Sequence, residues 1–353
     1  MATKATNELD YLTARLHARR SRMAEAGRLD ALCRLRAIPD LGRAVDPEFA
    51  VATVANFQRR LLEDLIWDFS FCLRHLSGAG FEIVGWLQSK FQLENIKVLL
   101  RGLLNHAPFD ILKEQLIPLP RELALDPQPL LNAGTLEVFV KHLPAGWPKK
   151  KLQAALDLHR DKPLSFHLEA ALDADYLHEL LTRIERLPAE DNELIEPLAR
   201  QAVEMFHLLL AVRGKFNHGL NADSLRSLRV PGSGAAGERF EAMLAAADLF
   251  SAAKLGLGHC IDELPVSRAN TATPSALEPV TLEALTWRRF LRLANGAFRR
   301  SHMGLAAAVG YLEIRRIEVA NLITLSEGIR LGAEVEKIRA RLIPRTHLEA
   351  VYV

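Results

Sequence analysis

Three segments of this 353-residue chain follow one grammar at a period near 113 residues, and no other feature constrains the fold as tightly. They are QLENIKVLLRGLLNH from Gln92, EMFHLLLAVRGKFNH from Glu204 and EVANLITLSEGIRLG from Glu318. Their glycines, Gly102, Gly214 and Gly328, lie 112 and 114 residues apart, and the first two segments share the literal run R-G-x-x-N-H from Arg101 and from Arg213. Each segment then enters a short helical stretch that closes on an aliphatic residue and a proline. The closing pairs are Ile117 and Pro118, Val230 and Pro231, Ile343 and Pro344, with the prolines 113 residues apart both times. Six positions before each proline stands Leu112, Leu225 or Ile338. A glycine late in a helix tolerates the left-handed cap conformation, and proline cannot continue a helix it follows. Each block therefore reads as helix, turn at the glycine, helix, stop at the proline, and a repeat of such a unit sets the whole architecture.

Another helical stretch precedes each block. The first runs from about Phe49 to Leu76, the second from Leu168 in LEAALDADYLHELLTRIERL, and the third from Leu282 in LEALTWRRFLRLANGAFRRS. Apolar and charged residues alternate in these stretches at helical period. An extra helix is expected over about Glu8 to Leu35, and shorter ones near Leu136 and from Met243 to Leu255. The run Asp262 to Thr281, rich in Pro, Ser and Thr, reads as a loop. No strand-length alternation occurs. The expected fold is all-α, with an N-terminal helical region at 1–45 and helical repeats at 46–150, 151–262 and 263–353.

Apolar residues make up 49% of the chain and charged residues 25%, the proportions of a well-packed protein. A formal net charge of +2 lacks the basic footprint of a nucleic-acid binder. Three widely spaced cysteines, Cys33, Cys72 and Cys260, give neither a disulfide framework nor metal spacing, which fits a reducing compartment. The N-terminal run MATKATNELDYLTARLHARRSRM has no apolar core of a secretory signal. Its arginines give it some likeness to a transit peptide, but Asp10 and the continuing helical pattern favour a folded helix. The nearest candidate for a membrane span, Ala242 to Ile261, is broken by Asp248 and Lys254, so no transmembrane helix is expected.

Motifs that carry chemistry are absent or lack context. GSGAAG from Gly232 matches G-x-G-x-x-G, but a helix and Pro231 precede it where a dinucleotide site needs a strand, so it reads as a linker. LHRDKP from Leu158 shares HRD with kinase catalytic loops, yet no glycine loop or D-F-G accompanies it. His159, Arg160 and Asp161 are expected in a solvated turn. Twelve histidines form no zinc spacing, and His106 and His218, each after an Asn at a helix end, are expected to satisfy terminal carbonyls. PKKK from Pro148 reads as an exposed helix start. The pairs Arg19–Arg20, Arg288–Arg289, Arg299–Arg300 and Arg315–Arg316 place planar forks on helix faces, where they suit carboxylates. No catalytic, cofactor-binding or metal-ligating set is expected, and no small-molecule substrate. The pattern implies a scaffold or coupling part.

Four features carry a family resemblance: YLTARLHARRSRM near the N-terminus, LEAALDADYLHEL from Leu168, the Asn–aliphatic pairs Asn95-Ile96 and Asn321-Leu322, and the closing SEGIRLGAEVEKIRARLIP. Together with the threefold repeat they resemble the central-stalk component of V/A-type rotary ATPases, the C subunit of prokaryotic enzymes and the d subunit of eukaryotic ones. The likeness spans nearly the whole chain. It departs at His207, where the sister blocks have Asn, and at Pro118-Leu119-Pro120, where a proline–glycine turn is the family's pattern. The resemblance implies a pseudo-threefold funnel seated on the cytoplasmic face of a membrane proteolipid ring, receiving the foot of the rotor shaft, with no active site and no cofactor. On that reading Arg101, Arg213 and Arg330, beside the glycine turns, are the candidate partner contacts. A general α-helical interaction scaffold is the alternative from another class.

Overall fold

The computed structural model describes residues 2–158, 165–263, 277–301 and 303–343. Among these residues the chain is all-α, with no strand. The N-terminal region holds α1 (Ala2–Arg20), α2 (Ala26–Leu32) and α3 (Ile38–Val45). The first long pair is α4 (Val54–His75) and α5 (Gly78–Leu104), followed by α6 (Phe109–Gln115), α7 (Pro127–Leu131), α8 (Leu136–His142) and α9 (Trp147–Leu158). The second pair, α10 (Ser165–Ile184) and α11 (Ala189–Ala211), leads through a π-helical turn, Val212–Asn217, to α12 (Ala222–Arg226), α13 (Ala235–Ala245) and α14 (Leu249–Leu257). The third pair is α15 (Pro279–Arg300) and α16 (Leu305–Arg330), with α17 (Val335–Arg339) after it.

The single N-terminal helix expected over Glu8 to Leu35 is broken between α1 and α2. The backbone N–H of Ala24 donates to the buried carboxylate of Glu318 on α16, a tertiary bond that replaces helix continuation. The expected loop over Asp262 to Thr281 lies mostly outside the described residues, and Pro279 at its end already opens α15. GSGAAG follows the short helix α12, with no strand before it, and its last three residues start α13. His159, Arg160, Asp161 and Pro344 lie outside the described residues.

The six long helices close head to tail. Within each pair the two helices pack on one another, and the second helix of each pair packs on the first helix of the next: α5 on α10, α11 on α15, and α16 back on α4. α16 is buried around nearly its whole circumference, which is why its sequence carries almost no polar face. Its small residues Ala306, Ala307, Ala308 and Gly310 let α15 approach closely. A Cβ on Gly310 would stand 2.7 Å from the carbonyl oxygen of Ala294.

The repeated corner differs from its sequence reading in one respect. Gly102, Gly214 and Gly328 do not adopt the left-handed conformation. They are sites of close approach: a Cβ there would lie 2.3 Å from Leu112, 2.3 Å from Leu225 and 2.6 Å from Ile338. Each of those aliphatic side chains, from α6, α12 and α17, seats on the bare glycine backbone. The left-handed residue comes later, at His106, Gly219 and Gly332, with φ of 50°, 63° and 62°. The corner then closes by a hydrogen bond to the glycine carbonyl, from Ala107 N, Leu220 N and Ala333 N, each at 2.9 Å. The second corner has one more residue between glycine and left-handed position, and the π-helical turn absorbs it. The glycine spacings of 112 and 114 residues, against a constant 113 for the prolines, are the imprint of that bulge.

His106 holds a conformation its two counterparts give to glycine. Relief of about 1–2 kcal/mol of left-handed strain, less about 0.5–1 kcal/mol of added chain entropy, predicts that His106→Gly stabilises the chain by about 0.5–1 kcal/mol. A urea midpoint that falls would contradict it.

Candidate functional site

Each corner is fastened to its long helix by one polar side chain, seven residues before the glycine. Asn95 accepts from Ile117 N at 2.8 Å through Oδ1 and donates to the same residue's carbonyl at 2.9 Å through Nδ2. Asn321 does the same with Ile343, accepting its N–H at 2.8 Å and donating to its carbonyl. His207 takes the place in the second corner. Its Nε2 accepts from Val230 N at 3.1 Å, which leaves Nδ1 as the donor to Ala236 O at 3.2 Å. The departure from Asn therefore keeps the clamp and also ties in α13. Burial holds His207 neutral, with its pKa lowered to about 4.

A cavity of about 530 Å³ lies inside the helix ring, between α5, α10, α11, α15 and α16. Its wall is mostly apolar, with Leu87, Leu177, Leu198, Phe206, Phe290 and Ile317 among the lining side chains. The charged groups that reach it are all held in ion pairs, Glu283 by Arg213 from outside the lining. Lys90 Nζ lies 2.6 Å from Asp173 and 3.0 Å from Glu94, and Lys97 Nζ also lies 2.6 Å from Asp173. Burial by itself would raise both carboxyl pKa values. The two lysines outweigh it and hold Asp173 and Glu94 below the usual carboxylate range. On the opposite side Arg316 pairs with Glu313 at 2.8 Å and lies 5.3 Å from the Trp287 ring centroid. Burial raises the Glu313 pKa against the pull of Arg316.

No cluster among the described residues is arranged to hold a metal ion. Burial pushes the Cys33 thiol up to about 11 and Cys72 higher still, which disfavours their thiolates. The cavity thus has neither a poised acid–base pair nor an activated nucleophile among the described groups. It offers shape, an apolar wall and satisfied ion pairs.

A protein-family model described as ATP synthase (C/AC39) subunit matches residues 12–341. The chain belongs to that family. A curated relative, the C subunit of the A-type ATP synthase of Haloquadratum walsbyi, is 25% identical over 202 residues, which cover 53% of this chain and 58% of the relative. The match therefore spans little more than half the relative's length. Membership accords with the all-α fold, and no helix among the described residues is long and apolar enough to cross a membrane.

The three arginines singled out in the sequence occupy two kinds of position. Arg101 and Arg213 immediately precede their glycines, are 46% and 44% exposed, and reach the next helix pair: Arg101 to Glu169 on α10 at 2.7 Å, Arg213 to Glu283 on α15 at 3.1 Å. Arg330 follows its glycine by two residues and pairs with Glu327 on its own helix at 2.7 Å. The true counterpart of Arg101 in the third corner is Glu327, which accepts from Gln58 on α4 at 2.7 Å.

Three of the four arginine pairs serve internal carboxylates that the sequence did not single out, while Arg300 of the fourth meets the exposed Glu193 at 3.2 Å. Arg19 lies 2.6 Å from Asp68, Arg315 binds both Asp68 and Glu318, and Arg289 lies 3.1 Å from Glu204. PKKK does open α9, and Lys149 there donates to the carbonyls of Lys141 at 2.6 Å and Leu143 at 3.2 Å, finishing α8. His106 and His218 act through backbone rather than side chain. The first is the left-handed residue, and the N–H of the second donates to Arg213 O at 2.9 Å while its ring lies against Phe166.

Proposed function

We propose that this chain is the non-catalytic central-stalk subunit of a V/A-type rotary ATPase, joining the rotor shaft to the membrane proteolipid ring so that ATP chemistry and proton or sodium movement are coupled. The observation that carries the reading is the head-to-tail closure of three long helix pairs, five of whose six helices line a shared cavity, in a chain of the ATP synthase (C/AC39) subunit family. A closed body of packed helices resists bending and suits a part that transmits torque. An open solenoid scaffold is less well supported, because such repeats run about 30–50 residues and stack without returning to the first. In this reading repeats 46–150, 151–262 and 263–353 form a pseudo-threefold funnel on the cytoplasmic face of the ring, held there by protein contacts, and the region 1–45 packs outside it. The exposed edges of Arg101, Arg213 and Arg330 form part of a partner-facing rim.

Affinity purification of the tagged chain from a native membrane extract tests this. Shaft and proteolipid subunits co-elute if the proposal holds, and their repeated absence overturns it. Charge reversal at all three arginines, in chains that keep the parent's melting temperature, is expected to cut that co-elution; an unchanged yield removes the rim assignment alone.

A further inference from the structure

A second hollow, of about 590 Å³, lies where the end of α1, the turn into α2 and the end of α15 meet, and it shares no residue with the central cavity. Its lining is basic. The guanidinium groups of Arg20, Arg28 and Arg299 stand around one carboxylate, that of Glu25. The excess of two positive charges in this pocket equals the formal net charge of the whole chain, so the other charged residues balance.

The partners of these cations are mostly neutral. Arg28 donates to three backbone carbonyls, those of Arg22, of Ala44 at 3.1 Å and of Val45 at 2.9 Å. Carbonyls orient a guanidinium and leave its charge uncancelled. Arg20 lies 4.6 Å over the Phe298 ring centroid, and its Nη2 is shared between Asn295 and a loose contact with Glu25 at 3.4 Å. Its Nη1 meets no acceptor among the described residues. Arg299 is exposed and meets no carboxylate among them, in contrast to its neighbour Arg300, which pairs with Glu193. Elsewhere the chain matches grouped cations with carboxylates, as at Asp68 and Asp173. Like charges gathered in a recess raise the local potential above that of an open surface, and a multiply charged anion relieves their repulsion. Guanidinium forks match the oxygens of phosphate in particular.

We propose that this pocket binds a phosphate-bearing anion of at least two negative charges, free in solution or carried as a lipid headgroup. Arg28, held by its three carbonyls, is the preformed side of the site, and a site ordered in advance loses little freedom on binding. Arg299 faces it from α15 with its charge unspent, and Arg20 adds to the potential from α1. The bound anion thereby ties the N-terminal region to the third helix pair. The inference does not rest on the proposed stalk role.

Calorimetric titration of the full chain with pyrophosphate, and its sedimentation with phosphatidylcholine vesicles with and without phosphatidic acid, test the site. Saturable binding is expected, weakened about tenfold by Arg299→Met and abolished by Ser21→Asp, which puts a carboxylate at the pocket wall. Both positions are exposed, and the variants are compared at an unchanged urea midpoint. Lys113→Met removes the same charge from an exposed position on α6 and should change the affinity by less than about twofold. Pyrophosphate binding with these sensitivities identifies a free anion as the ligand. Binding only to vesicles that carry phosphatidic acid, with the same sensitivities, identifies a headgroup. No saturable binding to either at millimolar phosphate overturns the proposal. Equal weakening by Arg299→Met and Lys113→Met does so too, because it means diffuse attraction to the chain's charge.

Discussion

Asp68→Ala is expected to destabilise the folded chain by about 3–5 kcal/mol, the largest single-residue loss predicted for a polar position here. The carboxylate is 0% exposed and meets three donors from two other helices: Arg19 on α1, Tyr311 and Arg315 on α16. Alanine removes the acceptor and leaves both guanidinium groups in a site where water replaces it poorly. Tyr311, itself buried, loses its acceptor as well. The measurement is a urea unfolding curve of the variant against the parent, with the slope unchanged. A loss below about 1 kcal/mol would mean that the network relaxes onto Glu318 or solvent. Replacing Arg34, whose pair with Asp30 is 72% exposed on the arginine side, is the natural comparison and should move the curve by less than about 1 kcal/mol.

The architecture was legible in the sequence because each corner repeats a requirement of the backbone. Leu112, Leu225 and Ile338 need a residue without a Cβ opposite them, so the glycines stand out at a fixed period. Their role was misplaced by four or five residues because glycine serves two purposes, close approach and positive φ, and a single chain does not say which. The spacing of 112 then 114 residues did contain the π-helical turn, as one residue of slack inside a constant proline period. The clamp at Asn95, His207 and Asn321 was visible as a position and not as a function, since its partner is a peptide group 22 or 23 residues away. Asp68 was not legible at all. It lies in the middle of RRLLEDLIWDFS among other charged residues, and only the packing of α1 and α16 on α4 distinguishes it from the more exposed Asp64 and Glu63. Arg330 shows that nearness in sequence is not the same as register. It matched Arg101 and Arg213 by proximity to glycine, while the structural register assigns that place to Glu327.

His207 gives the helix ring a dependence on pH that its two sister corners lack. The imidazole is buried and stacked on Phe240 at 4.7 Å between centroids, and its Nε2 must stay unprotonated to accept the Val230 N–H. Burial, with Arg229 and Arg239 nearby, lowers its pKa from 6.5 to about 4 in the folded chain. The unfolded chain therefore binds more protons between those values, and stability falls as pH drops below 6.5 until the folded form also protonates near 4. From pH 7 to pH 5 this group should cost about 2 kcal/mol. His207→Asn restores the residue found in the other two corners, keeps an acceptor for Val230 N–H and gives up the bond to Ala236. It should lose about 1 kcal/mol at pH 7 and show a pH profile flatter by about 2 kcal/mol over the same range. Carboxylates that also titrate near pH 5 act equally in parent and variant, so the difference between the two profiles isolates the imidazole. Parallel profiles would mean that His207 takes up a proton as readily in the fold as in the unfolded chain, so that its Nε2 is not held as the acceptor of the Val230 N–H.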